Sequence, residues 1–374
     1  KGKEKEEEEE DDDDDEESDL TRLRRRKARK EAQKEGNMSF TYSDFTIDIE
    51  TKKRIPKSKV KAPGLPPDLH DKYVIQGDVK NDFKILESVG KGGYGRVFSG
   101  KLRGGVKKQD KRAKLMSRVA LKKMEHITYK QKVSNFDEVY TLSRLSHPNV
   151  VKYGGVYVLK GEMWLVTELM EGGTLDLASN VYSLKEPQIA YVTKEIVKGI
   201  IYLHKNNLAH RDLKTANIMM SVEGDVKLID FGLCVDVSLG RRRRMVGSPF
   251  WIPPEMIRKE RHGMEVDLWS LGICILEMAH GEPPNRKSSI RAMFRVGIGT
   301  IPELKSSSWS KDFPDFLSHC LVTDPFKRST AVALLDHPFL STEKCAPESK
   351  MKKLFHQIFI ERALERSLGM QSMI

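Results

Sequence analysis

The densest chemistry in the sequence is the run HRDLKTANIM, from His210 to Met219. A carboxylate such as Asp212, set beside a substrate hydroxyl, can orient it and accept its proton. Lys214, two residues on, can neutralise a phosphoryl group in transit, and Asn217 can offer an oxygen to a metal. The spacing is strict, so chance agreement with it is rare. DFG follows at Asp230, Phe231 and Gly232, directly after the strand-like DVKLI. Its carboxylate suits Mg²⁺, a hard ion that takes oxygen donors from carboxylates and phosphates together. Alone the tripeptide is common; in this order and at this distance it becomes specific.

Such side chains need elements to hold them. GKGGYGRV places Gly90, Gly92 and Gly95 in a G-x-G-x-x-G pattern, with Val97 two residues on. A dinucleotide-binding fold uses the same glycines but needs a helix straight after them, and here strand-like sequence follows. A turn between two strands fits better, with backbone N–H groups close to phosphates and Val97 covering an adenine. Lys122 ends VALK inside the next β-branched run. A lone lysine there is ordinarily a solvent-facing strand residue. One that reaches the α- and β-phosphates needs a carboxylate to hold it, and Glu138, in the helix-patterned FDEVYTLSRL, is the candidate; Asp137 and Glu125 are the alternatives. Further strand-like runs cover 83–89, 96–102, 119–124 and 163–168, and helical periodicity begins in earnest at Glu186 to His204. A strand-rich part therefore precedes a helix-rich part.

Taken in order, the glycine run, Lys122, Glu138, HRD, Asn217, DFG, Pro254-Glu255, Asp267-x-Trp269-Ser270 and Arg328 resemble the eukaryotic protein kinase set from Phe83 to Leu340. The resemblance implies an α+β, bilobal fold, with a small β-rich N-lobe and a larger, mainly helical C-lobe. It implies ATP in the cleft between the lobes, Mg²⁺, and transfer of the γ-phosphate to Ser or Thr hydroxyls of protein substrates. It assigns catalysis to Asp212, Lys214, Lys122, Glu138 and Ser248, and metal binding to Asn217 and Asp230. It assigns the nucleotide to Gly90, Gly92, Gly95, Val97, Ala120 and Lys122, with Thr167 as gatekeeper and Glu168 to Met170 as hinge. Glu255 should pair with Arg328, and Asp267 should brace the catalytic loop. Within the superfamily, MVGSPFWIPPEMI, DFGLC and TIPEL are most similar to the PAK branch of the sterile-twenty Ser/Thr kinases.

Several positions depart from that pattern. Pro253-Pro254-Glu255 stands where the family has Ala-Pro-Glu, and 24 residues separate Val97 from Lys122, among them Lys107, Lys108, Lys111, Arg112 and Lys114. That insertion is expected to be an exposed loop, or else a docking surface. Basophilic kinases of the group carry an acid just before the metal-binding Asn; Ala216 is there instead, so no preference for upstream arginine is expected. The PAK branch also implies a segment that binds Rho-type small GTPases. Residues 37–82 share an early Phe and a later Gly-Leu-Pro with it but lack its paired histidines, which leaves a degenerate GTPase-binding element or a plain linker.

The largest departure is GRRRRMVGSPFWIPPE, Gly240 to Glu255. In the resembling family an activating phosphothreonine lies four residues before the position of Ser248, and here that residue is Arg244. Ser248 itself is expected to bridge Asp212 and Lys214, so its phosphorylation should inhibit. Arginines 241 to 244 near Arg211 repel one another unless an anion arrives or they point into water. Phosphate on Ser238, the acidic run Glu6 to Glu17 acting in cis, and an anionic membrane or partner are the candidate anions. The missing hydroxyl also opens the alternative of a catalytically impaired pseudokinase or scaffold, which the intact Lys122, Asp212, Asn217 and Asp230 oppose.

The whole chain has 374 residues, 39% hydrophobic and with a net charge of +11, enough for a sizeable core with appendages. Residues 1–36, acidic and then basic, are expected to be a disordered tail, residues 83–340 the main domain, and 341–374 a helical tail that packs on the larger lobe or meets a partner. The chain opens on Lys1, which reads as a fragment or processed product without a signal-peptide pattern. The longest apolar runs fall well short of the ~20 residues a membrane span needs. Four scattered cysteines suit a reducing compartment, cytoplasm or nucleus, and show no zinc spacing. Basic residues are not interleaved with aromatics, so sequence-specific nucleic-acid binding is not expected. Oligomeric state is not encoded legibly.

Overall fold

The computed structural model describes residues 45–47, 54–56, 73–92, 95–103, 118–238, 240–305 and 308–367. The acidic and basic tail at 1–36, most of the 37–82 segment, the basic insertion at 104–117 and the last residues, 368–374, lie outside them. Strands β1 (Phe45–Ile47) and β2 (Arg54–Pro56) form an antiparallel pair in a unit of their own, ending at Pro63.

In the second unit, a six-stranded sheet is built from β3 (Val74–Ile75), β4 (Phe83–Gly92), β5 (Gly95–Leu102), β6 (Arg118–Glu125), β7 (Tyr153–Leu159) and β8 (Glu162–Glu168), in the order β3-β7-β8-β6-β5-β4. Pairing is antiparallel except for the short edge β3, which runs parallel to β7. Alternation along β6 decides what each face carries. Val119 and Leu121 join Phe83, Tyr157, Trp164 and Val166 in a small apolar layer, while Met124 belongs to the large core on the opposite face. Lys122 shares the parity of Met124 and so points to the side where the helix α1 (Tyr129–Ser143) packs. A capping box starts α1: Thr128 accepts from the Gln131 N–H, and Gln131 returns a bond to the Thr128 N–H. Its inward face is Phe136, Glu138, Val139 and Leu142.

The larger lobe is mainly helical. After the short β9 (Gly173–Thr174) come α2 (Leu175–Val181) and α3 (Glu186–Lys205), which carries nine buried residues along one stripe. Strands β10 (Leu208–Ala209), β11 (Ile218–Met220), β12 (Val226–Leu228) and β13 (Val235–Asp236) form two small antiparallel sheets around the HRD and DFG segments, β12-β11-β9 and β10-β13. The helices α4 (Pro254–Ile257), α5 (Val266–His280), α6 (Ser289–Gly297), α7 (Asp312–Cys320) and α8 (Ala331–Leu335) follow. α5 is the buried spine of the lobe: every residue from Val266 to Met278 is buried, and Gly281 ends it in the left-handed conformation at φ 81°.

The C-terminal helix α9 (Glu348–Ser367) inserts Met351, Phe355 and Ile358 into that same core. Its Glu361 accepts the Tyr182 hydroxyl. The architecture is the strand-rich lobe followed by a helical lobe that the residue patterns imply.

Candidate active site

Two stretches of backbone in uncommon geometry set the site. Arg211 and Asp230 both sit at positive φ, 64° and 62°, a conformation that side chains other than glycine adopt at a cost. The buried Asp267 at the start of α5 holds the first of these: its carboxylate accepts from the backbone N–H groups of His210 and Arg211, both at 2.9 Å, and pairs with His204 Nε2 at 2.9 Å. Burial alone would push Asp267 up, but these donors outweigh it and hold it below the usual carboxylate range. Asp267 therefore braces the loop from beneath, where the resemblance placed it.

Within the braced loop, Asp212 lies at the centre of a closed hydrogen-bond set. The Asn217 amide donates to the Asp212 carbonyl at 2.8 Å and to Asp212 Oδ2 at 2.9 Å. The Ser248 hydroxyl donates to Asp212 Oδ1 at 2.9 Å and accepts from Lys214 Nζ at 2.7 Å, and Lys214 is itself 3.3 Å from Asp212 Oδ2. The structure thus brings together Asp212, Lys214, Asn217 and Ser248, four residues spread over 36 positions of sequence.

The second cluster crosses from the sheet to the loop. Lys122 Nζ is 2.7 Å from Glu138 Oε1 and 3.0 Å from Asp230 Oδ1. Burial works against the ammonium, but the two carboxylates overcome it and raise the Lys122 pKa. Burial dominates at Glu138 and raises it, while at Asp230 the lysine outweighs burial and lowers it. Of the rival acids, Asp137 is exposed and Glu125 accepts from the Gln131 amide, so Glu138 is the carboxylate that reaches the lysine.

The glycine turn joins β4 to β5, with Gly90 opposite Val97 and Gly92 opposite Gly95. Gly95, at φ 142°, could carry no side chain, since a Cβ would lie 2.0 Å from the Lys123 carbonyl. Ala120 pairs with Thr167 across β6 and β8. The Glu168 carboxylate is taken by Lys227 Nζ at 2.8 Å and the Lys152 N–H at 2.7 Å, so its side chain is turned to a structural use, and Met170 is buried.

Asn217 Oδ1 and Asp230 Oδ2 accept no hydrogen bond among the described residues. Two hard oxygens left uncommitted are the donor chemistry that Mg²⁺ takes alongside phosphate. The residues present therefore fit a Mg²⁺-nucleotide, with Asn217 and Asp230 as the holders.

The sequence matches the protein kinase domain family over residues 83–340. The chain belongs to that family. The kinase domain is similar to the probable serine/threonine-protein kinase mkcB of Dictyostelium discoideum, 45% identical over 77% of this chain and 39% of that protein. It is also similar to the serine/threonine-protein kinases STE20 of Candida glabrata and pakA of Dictyostelium discoideum, each 35% identical, over 78% and 76% of this chain and 31% and 23% of those proteins. The chain thus spans about two fifths or less of the length of these relatives.

The arginine segment divides in two. Arg241 forms an ion pair with Glu265, donates to the Arg261 carbonyl at 3.2 Å and lies 4.8 Å over the Phe326 ring. Arg242 makes a two-way backbone bridge with His262, at 2.8 and 2.7 Å, and its guanidinium donates to the Asp236 carbonyl at 2.5 Å. The alternative that these arginines point into water fails for both, because carboxylate, carbonyl and ring partners lie within reach of the loop. It holds for the exposed Arg243 and Arg244. Arg211 donates to the Leu233 carbonyl, and burial, with Arg242 and Arg244 nearby, depresses its pKa to about 10. Spacing along the sequence gave no signal for Glu265, Phe326 or His262 as the loop's counterparts.

The Pro-Pro-Glu departure resolves simply. Pro253, the residue that departs, is the N-cap of α4 at φ −74°, the value its ring already fixes, and Glu255 still reaches Arg328 through two bonds of 2.8 and 3.0 Å. Asp315, His319 and His337 gather their ligand-type atoms in one place, a grouping the scattered sequence positions do not advertise. The Phe339 N–H donates to His337 Nδ1, which leaves the proton on Nε2 to bond Asp315 at 3.1 Å, so both ring nitrogens are spent on hydrogen bonds.

Among the described residues no helix is long and apolar enough to cross a membrane.

Proposed function

We propose that the chain is an ATP-dependent protein serine/threonine kinase. The observation that carries this reading is the closed set Asp212, Lys214, Asn217 and Ser248, alongside the Lys122–Glu138–Asp230 cluster. Asp212 orients the acceptor hydroxyl and takes its proton. Lys214 neutralises charge on the moving phosphoryl group, and Ser248 keeps both in register. Lys122, held by Glu138, steadies the α- and β-phosphates, and Gly90, Gly92 and Gly95 let backbone N–H groups approach them. Val97, Ala120, Thr167, Glu168 and Met170 enclose the adenine. When bound, Mg²⁺ and ATP supply the transferable phosphoryl group and the charge that activates it; Asn217 and Asp230 hold the metal.

Substrates are protein Ser/Thr side chains, in signalling of the sterile-twenty and PAK type. That subclass is supported by the likeness to STE20 and pakA. A Rho-type GTPase as partner of residues 37–82 rests on sequence likeness alone, as most of that segment lies outside the described residues. Four free cysteines support a cytoplasmic location, and the basic cluster Arg22 to Lys30 supports the nucleus as a second one. The scaffold alternative rested on the absent hydroxyl at Arg244, and the loop's other anchors weaken it.

The reading is tested by incubating the chain with γ-labelled ATP, Mg²⁺ and a basic protein substrate, followed by phosphoamino-acid analysis. Label on serine or threonine is expected; label on tyrosine alone, or none above a Lys122→Met control, overturns it.

A further inference from the structure

The face of α6 (Ser289–Gly297) turned away from the core is apolar and uncovered. Ile290, Phe294 and the C-cap residue Ile298 are 76%, 65% and 65% exposed, and their spacing of four residues puts them in one row along the helix and its cap. Ala292 and Val296 on the other side are the buried contacts that fix the helix to the lobe. Ile301, 46% exposed, extends the patch past the helix end. Single exposed apolar residues are ordinary, but a contiguous row of large ones marks a contact surface.

Charge lies along one edge of this row. Arg291 and Arg295 follow Ile290 and Phe294 by one residue each, about a quarter-turn round the helix. They line an open cavity of about 450 Å³ together with Arg286, Lys287 and Lys305. Glu282 and Glu303 are its carboxylates, and none of the five cations forms an ion pair among the described residues. Arg286 lies 5.7 Å over the Phe250 ring, and Arg295 reaches Asn285 Oδ1 only at 3.5 Å.

We propose that this row and the basic cavity beside it dock a protein segment of acidic amphipathic character, with apolar side chains one helical turn apart and carboxylates along the flank. The apolar anchors cover Ile290, Phe294 and Ile298, and the carboxylates enter the cavity between Arg291, Arg295 and Arg286. A second copy of the chain is disfavoured, because a two-fold contact would set the same arginines against each other. A bilayer surface is disfavoured because the arginines line a concavity that a flat headgroup plane does not enter. Through Phe250, two residues after Ser248, the site adjoins the segment that closes the catalytic set.

The test uses the full chain and a phage-displayed library of short random peptides, counter-selected on the Ile290→Ser/Phe294→Ser variant. Both side chains are exposed, so the variant keeps its fold, which its thermal melt checks. Enriched peptides are expected to carry Leu, Ile or Phe three or four residues apart with an excess of Asp and Glu. A synthetic copy of the most enriched one should bind at least about tenfold more weakly to that variant and to Arg291→Glu/Arg295→Glu. Enrichment without acidic excess, equal affinity for wild type and both variants, or no enrichment overturns the proposal. So does a concentration-dependent dimer dissolved by Phe294→Ser, which assigns the face to a second copy. Binding to phosphatidylserine vesicles that the serine variant abolishes, with no selected peptide, assigns it to a membrane.

Discussion

The Ser248 hydroxyl donates to Asp212 Oδ1 at 2.9 Å while accepting from Lys214 Nζ at 2.7 Å, so one loop oxygen ties the Asp212 carboxylate to the lysine beside it. Ser248→Ala should lower kcat by about tenfold to a hundredfold with little change in nucleotide affinity, because it loosens orientation and leaves the groups in place. Ser248→Asp should abolish transfer, since it puts a second negative charge beside Asp212. Steady-state kinetics with varied ATP separates the two effects; an aspartate variant as active as wild type would contradict the placement.

Arg241 and Arg242 hold the loop through Glu265, Phe326, Asp236 and His262. These anchors need no phosphate. Treating the purified chain with a protein phosphatase should therefore leave kcat within about twofold, whereas Arg241→Ala should lower it roughly tenfold by freeing the loop that carries Ser248. Collapse of activity on dephosphorylation, or an Arg241→Ala variant indistinguishable from wild type, would show that something else orders the segment.

Arg328 and Glu255 are fully inaccessible, paired through two bonds, with further donation from Arg328 to the Glu265 and Val322 carbonyls. Removing one partner strands a buried charge, and Arg328→Leu should cost about 3–5 kcal/mol. That is a large part of the ~5–15 kcal/mol by which domains are stable. Urea denaturation reads it directly; a loss below about 1 kcal/mol would mean that the freed Glu255 finds water or another partner.

Glu277 gives a pH dependence of definite sign. Burial lifts its carboxyl from 4.5 to about 7, with the Trp251 indole N–H at 3.2 Å as a smaller opposing influence. A folded-state pKa above the unfolded one means that the native state binds the proton more tightly. Its contribution is then fully present below about pH 4.5 and is lost as pH rises through about 7. Melts of wild type and Glu277→Gln from acid to pH about 8 should diverge, the wild type losing on the order of 2–3 kcal/mol relative to glutamine. Parallel curves would place Glu277 in a wetter environment.

What the sequence disclosed follows from how each feature is encoded. Lys122 and Glu138 were legible because strand alternation and helix spacing fix which face each side chain takes, and HRD, Asn217 and DFG because their chemistry demands fixed short separations. β7 left a weaker trace: Gly154 and Gly155 interrupt its apolar run, and Gly155, at φ 135°, sits at a register shift that a pattern of period two does not anticipate. The arginine segment misled for a different reason. Four like charges in a row suggest solvent or a foreign anion, but the partners of Arg241 lie 24 and 85 positions away, where only the folded chain brings Glu265 and Phe326 beside it. The row on α6 was equally hidden, since an apolar stripe reads the same whether it faces the core or solvent.

The central claim is that Asp212 takes the proton in phosphoryl transfer, and Asp212→Asn tests it most directly. The amide keeps the size and the Asn217 and Ser248 neighbours but cannot accept the proton. Transfer of label from γ-labelled ATP to a protein substrate should fall by about a hundredfold or more, while equilibrium binding of ATP with Mg²⁺ stays unchanged. Undiminished transfer by Asp212→Asn, with nucleotide binding intact, would contradict it.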